Sequence, residues 1–216
     1  MTAADDDRPV LHGYFRSTAA YRVRIALNLK GIAWRDAFHH LRHGEQRAAD
    51  YLRLNPQGLV PALEWNGAVL TQSLAICEFL DEVRPAPPLL PRDPLARARV
   101  RAFAQVIAYD VHPVQNLGVL ERLKALGLAP SQVTGWAHDT IAMGLAACDA
   151  LIADGHGPFC FGAEVTLADL CLVPQLVNAR RFGVELRWPR LLAVEAACLA
   201  LAAFRDAAPE NQPDAE

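Results

Sequence analysis

Apolar and polar residues alternate weakly from Val10 to Phe15, which predicts a short strand. Arg16-Ser17-Thr18-Ala19-Ala20 interrupts that pattern as a polar turn. Apolar residues return at helical spacing from Tyr21 to Lys30 and stop at Gly31, where a glycine just past the last apolar turn signals a helix end. Ile32 to Phe38 reads as a second strand, so the chain opens β-α-β. A short helix is expected within Gln46 to Leu54, and the cluster Asn55-Pro56-Gln57-Gly58 predicts a turn. Val60 to Trp65 reads as a strand that starts at a proline, and Asn66-Gly67 predicts a tight hairpin to a return strand, Ala68 to Thr71. Ser73 is the expected cap of a helix carrying Leu74, Ile76, Phe79 and Leu80. The order β-α-β-α-β-β-α matches a thioredoxin-like sheet and assigns residues 9–86 to one domain.

Arg84 to Pro94 holds five prolines, which excludes a helix interior and predicts a linker. Beyond it the spacing is helical, with no convincing strand. Helices are expected at about 95–127, 131–154, 167–182 and 190–204. The second domain, 93–214, is therefore all-helical, and the fold class is α+β. The ends, residues 1–8 and the stretch from Ala208, read as frayed or irregular. Thr166-Leu-Ala-Asp169 is a Thr-x-x-acid capping box, flanked by Val165 and Leu170 as a hydrophobic staple. That makes Asp169 a buried helix-start residue rather than a catalytic acid.

Composition narrows the function classes. A chain of 216 residues, 52% hydrophobic, can bury a sizeable core. A formal net charge of −3 leaves no basic footprint for nucleic acid. No apolar run reaches the roughly 18 residues that a membrane helix needs. The acidic N-terminal stretch is not a secretory signal, so a cytoplasmic protein is expected. The five cysteines are odd in number, lack a CxxC pair and sit mostly among apolar neighbours. They read as buried, reduced thiols. His39, His40 and His43 read as a solvated loop, and no zinc-type ligand spacing occurs, so no metal is expected.

The chemistry concentrates where the first strand turns into the first helix. A helix N-terminus offers unpaired N–H groups and a partial positive charge. A hydroxyl there can also donate to an anionic sulfur. Ser17 and Thr18 satisfy both conditions, although either also serves as a plain N-cap residue. Gln72 and Ser73 open another helix, whose N-terminus suits a carboxylate.

Several stretches carry a family resemblance, which runs from about residue 10 to residue 214. Tyr14-Phe-Arg-Ser-Thr-Ala-Ala-Tyr-Arg-Val-Arg-Ile-Ala-Leu27 resembles the signature of zeta-class glutathione transferases. Asn55-Pro-Gln-Gly-Leu-Val-Pro-Ala-Leu63 and Gln72-Ser73-Leu-Ala-Ile76 resemble their glutathione-binding segments. Thr166-Leu-Ala-Asp-Leu-Cys-Leu-Val-Pro-Gln175, followed by Asn178-Ala-Arg-Arg-Phe182, resembles their helical domain. The family includes the maleylacetoacetate and maleylpyruvate isomerases. The chain departs from the usual Ser-Ser-Cys or Ser-Ser-Ala, reading Ser17-Thr18-Ala19, so both leading hydroxyls persist and the cysteine does not. Without that cysteine, disulfide or dehydroascorbate reduction is disfavoured.

The resemblance implies a cytosolic glutathione transferase fold, glutathione as cofactor, a homodimer and a diacid substrate. It implies thiol activation by Ser17 or Thr18. It implies glutathione contacts from Arg22, Gln46, the Val60 backbone before a cis Pro61, Gln72 and Ser73, with His112, Asn116, Leu117 and Gly118 of the helical domain. Arg16 and Arg181 are implied for the substrate carboxylates, whereas Arg180 next door takes the default role of an arginine, on the surface or in a salt bridge. The implied reaction is cis-trans isomerisation of a maleyl keto-diacid. General transferase activity on haloacids and a non-catalytic binding module are the alternatives.

Overall fold

Val10–Gly13 forms β1, an inner strand of a four-stranded sheet of order β2-β1-β3-β4. The computed structural model describes residues 7–216, and residues 1–6 of the expected tail lie outside the described residues. β2 (Arg35–Phe38) runs parallel to β1 and is shorter than the stretch 32–38 suggested. β3 (Ala62–Trp65) lies antiparallel on the other side of β1, and β4 (Ala68–Thr71) antiparallel to β3. A parallel pair needs a crossover, and α1 (Thr18–Leu29) provides it. The β3–β4 pair needs only the expected turn: Asn66 and Gly67 sit at φ 47° and 80°, the left-handed conformation that an Asn-Gly hairpin requires. α2 (Ala49–Leu54) and α3 (Ser73–Val83) complete the arrangement.

Side chains alternate across a strand, so the two faces of the sheet differ. Leu11 and Leu63 are directly opposite one another and essentially fully buried. His12 points to the other face. There its Nε2 lies 2.8 Å from Glu64 Oε1 and its Nδ1 2.9 Å from His39 Nε2. The His39 ring packs 4.3 Å, centroid to centroid, from Tyr51 of α2. His39 is therefore part of a half-buried network, not a solvated loop residue; only His43 of the three is exposed.

Burial and the neighbouring His12 hold His39 below the ordinary histidine range, against the pull of Glu45. Between its folded and unfolded pKa values, the unfolded chain carries a proton that the folded chain lacks, so stability rises with pH there. Folding stability therefore falls as pH drops below about 6.5, the ordinary histidine value. His39→Gln should flatten that slope in denaturant titrations at a series of pH values. Equal slopes for the two proteins would remove His39 from the account.

The described residues form two units, 7–87 together with 202–216, and 88–201. In the first, a short helix at Ala202–Arg205 and the residues after it bind α1. Tyr21 Oη donates to Phe204 O at 3.1 Å, Arg24 Nε to Ala207 O at 3.0 Å and Asn28 Nδ2 to Ala203 O at 3.0 Å. These residues read from the sequence as the end of the helical domain.

The second unit is helical among its described residues, apart from turns, irregular stretches and an isolated antiparallel bridge between Phe159 and Gly162. α4 (Pro94–Gln105) starts with proline at its first position, and the Asp93 carboxylate accepts Ala96 N–H at 2.8 Å. The single helix expected over 95–127 is broken. α4 widens into a π-helical turn at Val106–Val111, a 3₁₀ turn follows at Pro113–Gln115, and α5 is Leu117–Ala125. The break has two local causes. Pro113 has no N–H to continue the ladder. Asn116 restarts a helix, its Oδ1 accepting Val119 N–H at 3.0 Å. α6 (Pro130–Leu151) makes room for the π turn: a Cβ on Gly144 would stand 2.1 Å from Val111 Cγ2.

α7 (Leu167–Arg181) is the buried centre of this unit, and α8 is Pro189–Leu199. Asp169 plays the structural part expected of it. Its Oδ2 accepts Thr166 N–H at 2.8 Å and the Thr166 hydroxyl at 3.0 Å, while Oδ1 accepts Cys160 N–H at 2.8 Å. None of the five cysteines forms a disulfide, all five are buried, and burial pushes the Cys148 thiol up to about 12.

Candidate active site

Ser17 is the N-cap of α1. Its backbone N–H donates to Tyr14 O at 2.9 Å, and its Oγ accepts Ala20 N–H at 3.1 Å. A hydroxyl that accepts this bond keeps its own proton for a second partner. Ser17 is half-buried. Thr18 is the first helical residue and is 5% exposed, with Oγ1 enclosed and unpartnered. The two adjacent hydroxyls are thus unequal: one is presented at the helix end and the other is shut in.

Arg22 lies one turn further along α1 and is 1% exposed. Its Nη1 donates to Ser73 Oγ at 3.2 Å, and its Nε and Nη2 have no hydrogen-bond partner. Ser73 does not cap α3, as its residue type suggested, but is its first residue; the cap is Gln72. Gln72 has φ 68° and ψ 113°, a region that non-glycine residues rarely occupy and that concentrates at functional sites. Its Nε2 donates to Gln57 Oε1 at 2.9 Å. Sequence reading passed over Gln57, because turn residues announce their backbone and not their side-chain partners.

The turn leading to Val60 is pinned to α2. Leu59 O accepts Tyr51 Oη at 2.6 Å and Asn55 Nδ2 at 2.7 Å, and the Val60–Pro61 peptide that follows is cis. Gln46 sits in a 3₁₀ turn at Glu45–Arg47, is 8% exposed, and leaves Oε1 unpartnered. Gly58 is seated on it. Its φ is 62°, and a Cβ there would lie 3.1 Å from Gln46 O, so only glycine allows this approach. A continuous set of contacts therefore links Gln46 to the turn before Val60, that turn to Gln72, and Ser73 to Arg22, one turn along α1 from Thr18. Arg16 is half-buried, its guanidinium 6.0 Å from the Phe15 ring centroid.

In the second unit, His112 ends the π turn, its N–H donating to Ile107 O at 2.9 Å. π turns inside helices often mark functional positions. Asn116 caps α5, and Leu117 and Gly118 form its first turn. Arg181 is exposed in the last turn of α7. Arg180 beside it makes a two-pronged pair with Glu195, at 2.6 and 2.5 Å, which is the role read for it. Phe182 packs on the cluster of Leu120, Val133 and Ala137, which sets the end of α7 against α5 and α6.

Residues 16–83 match the glutathione S-transferase N-terminal domain family, and residues 96–197 match the glutathione S-transferase C-terminal domain family. A maleylacetoacetate isomerase of Pseudomonas aeruginosa is 48% identical, over 94% of this chain and 97% of its own length. The holo structure of a bacterial maleylpyruvate isomerase, described as a zeta-class glutathione S-transferase, superposes with a TM-score of 0.93. It is 44% identical and covers 96% of this chain and 100% of its own. A maleylacetoacetate isomerase of Anaeromyxobacter dehalogenans, with dicarboxyethyl glutathione and citrate in its active site, gives a TM-score of 0.87 at 43% identity, covering 99% of this chain and 96% of its own. The chain therefore belongs to the glutathione S-transferase family, in its zeta class with the maleylacetoacetate and maleylpyruvate isomerases.

Proposed function

We propose that this protein is a glutathione-dependent isomerase that converts a maleyl keto-diacid to its fumaryl isomer. The observation that carries the reading is the Ser17 hydroxyl, fixed by Ala20 N–H at the positive end of α1 with its proton still to donate. Related isomerases support it, and so does the ligand found in one of them. Dicarboxyethyl glutathione is a thioether between the glutathione sulfur and a two-carbon unit bearing two carboxylates, which is what sulfur addition to the double bond of maleate or fumarate leaves, and a maleyl ketone offers sulfur a double bond activated in the same way.

The residues present fit glutathione. Gln46 Oε1 and two nitrogens of Arg22 are buried without partners, so the first unit holds polar capacity that its own contacts do not use. When bound, glutathione supplies a thiolate that adds reversibly to the double bond conjugated with the ketone, so that the former double bond rotates before sulfur leaves. Ser17 donates a hydrogen bond to the sulfur and lowers its proton affinity. The Val60 backbone pairs with the cysteinyl unit, as an added strand does. Gln72 and Ser73 take the γ-glutamyl carboxylate at the start of α3, and Arg22 adds a buried cation beneath it. Gln46 takes the glycyl end. His112, Asn116, Leu117 and Gly118 contribute further contacts by family resemblance, and Arg16 and Arg181 take the substrate carboxylates. The resemblance also supports a homodimer in the cytoplasm.

An ultraviolet assay of maleylacetoacetate and maleylpyruvate with catalytic glutathione tests the reading. At least one diacid should isomerise fully while the glutathione concentration stays constant. If neither reacts while a haloacid consumes glutathione, the protein is a transferase and not an isomerase.

A further inference from the structure

The peptide that enters the Ser17 turn is held from both sides by residues distant in sequence. Phe15 N–H donates to Asp214 Oδ2 at 2.9 Å. Phe15 O accepts Arg24 Nη2 at 3.2 Å. Arg24 is 3% exposed, and its Nε is fixed by Ala207 O at 3.0 Å. Burial pushes Arg24 down to about 10, with Asp214 and Asp36 pulling the other way, so it remains a cation at neutral pH. The segment carrying Asp214 is itself braced. Gln212 Nε2 donates to Asp206 O at 2.9 Å and to Ala208 O at 2.8 Å, in addition to the bonds that Phe204 and Ala203 accept from α1. Residues 202–214 thus run along α1 as a strap and end on the residue two before Ser17.

We propose that Asp214 is a positioning residue for thiol activation: its carboxylate, together with Arg24, clamps the Phe15 peptide and so fixes the direction of the Ser17 hydroxyl. This rests on the reading of Ser17 as the donor to sulfur. Asp214 does not touch the sulfur in this account; it acts through Phe15. The geometry gives it leverage. Phe15 is joined to Ser17 by a single residue, and Ser17 N–H returns to Tyr14 O, so a shift of the Phe15 peptide moves the whole cap. Misplacement of a donor by about an ångström is enough to cost a large factor in rate.

The test compares Asp214→Ala, Asp214→Asn and Ser17→Ala in the full chain. Three quantities are read: the pKa of the bound glutathione thiol from thiolate absorbance, kcat and KM for isomerisation, and thermal stability. Asp214→Ala should raise the bound-thiol pKa and lower kcat about tenfold, with KM for glutathione little changed. Asp214→Asn keeps an oxygen for Phe15 N–H and should restore most of both. Should Asp214→Ala not fold, Asp214→Glu replaces it, since the longer arm misplaces the same charge and predicts the same pKa rise. A fall in thermal stability with an unmoved thiol pKa would make Asp214 a structural clasp only and overturn the proposal. So would an asparagine variant as impaired as the alanine one. If Ser17→Ala also leaves the thiol pKa unmoved, the Ser17 reading fails and takes the strap with it. If Ser17→Ala moves the pKa and Asp214→Ala does not, the strap fails alone.

Discussion

Ser17→Ala should lower kcat/KM for isomerisation by about two to three orders of magnitude, the usual cost of deleting one preorganised donor to a developing or resident anion. The bound thiol should titrate nearer the free value of about 8.5, moving the rising limb of the pH–rate profile to higher pH. The substitution also removes the N-cap of α1, since Ser17 Oγ accepts Ala20 N–H at 3.1 Å. That loss is worth about 1 kcal/mol of stability. The two effects are separable by size: a cap lost alone leaves a slightly less stable enzyme with near-normal turnover.

Thr18→Val is the internal control. Thr18 Oγ1 is enclosed and unpartnered, so an isosteric methyl removes a buried polar atom that nothing satisfies. Its activity should stay within a few-fold of the parent, and its stability should hold or rise. Steady-state kinetics and thiolate absorbance on both variants decide the matter. An active Ser17→Ala beside an inactive Thr18→Val would reverse the assignment.

The difference between those two hydroxyls was invisible in the sequence, and the reason is instructive. Residues 16–20 carry no apolar rhythm, so periodicity starts the helix at Tyr21, whereas the structure starts it at Thr18. Ala19 and Ala20 are good helix formers without pattern content, and they shift the boundary by three residues. Once the boundary moves, Ser17 is the cap and Thr18 is inside the first turn. Ser73 was misread for a related reason. The cap of α3 is made by Gln72 at positive φ, and glutamine has no capping preference to reveal it. The Asn66-Gly67 hairpin and the strand order around it were legible because each rests on a local rule that tertiary contacts do not override. The stretch 106–116 was not. A π turn shifts the helical register without clearing the apolar residues on either side, so the pattern reads through it, and only Pro113 marks the place. The strap was hidden for a third reason. Its bonds run from polar side chains of α1 to main-chain carbonyls, and a carbonyl leaves no trace in residue type.

Asp169→Ala should produce the largest loss of stability of any single substitution considered, about 3–5 kcal/mol. Asp169 is fully buried. Its carboxylate accepts the backbone N–H groups of Cys160 and Thr166, both at 2.8 Å, and the Thr166 hydroxyl at 3.0 Å. Alanine leaves two buried N–H groups orphaned, and each costs about 1–3 kcal/mol. It also opens a void among the closely packed residues of α7. Burial raises the Asp169 pKa despite these donors, which raises the question of a neutral substitute. Asp169→Asn answers that point. Every partner found for the carboxylate is a donor, and an amide offers one acceptor oxygen where two are in use, while its own N–H groups would face donors. Asparagine should therefore recover little of the loss, whereas a group that mattered only as a space-filler would recover most of it. Denaturant unfolding of the two variants measures the difference. Ser17→Ala and Asp169→Ala should also differ in kind: the first keeps the fold and loses turnover, while the second loses turnover only as far as it loses folded protein. Specific activity per folded molecule, measured at low temperature where Asp169→Ala still folds, should stay near the parent value. A variant that is folded and inactive would return Asp169 to the list of catalytic candidates.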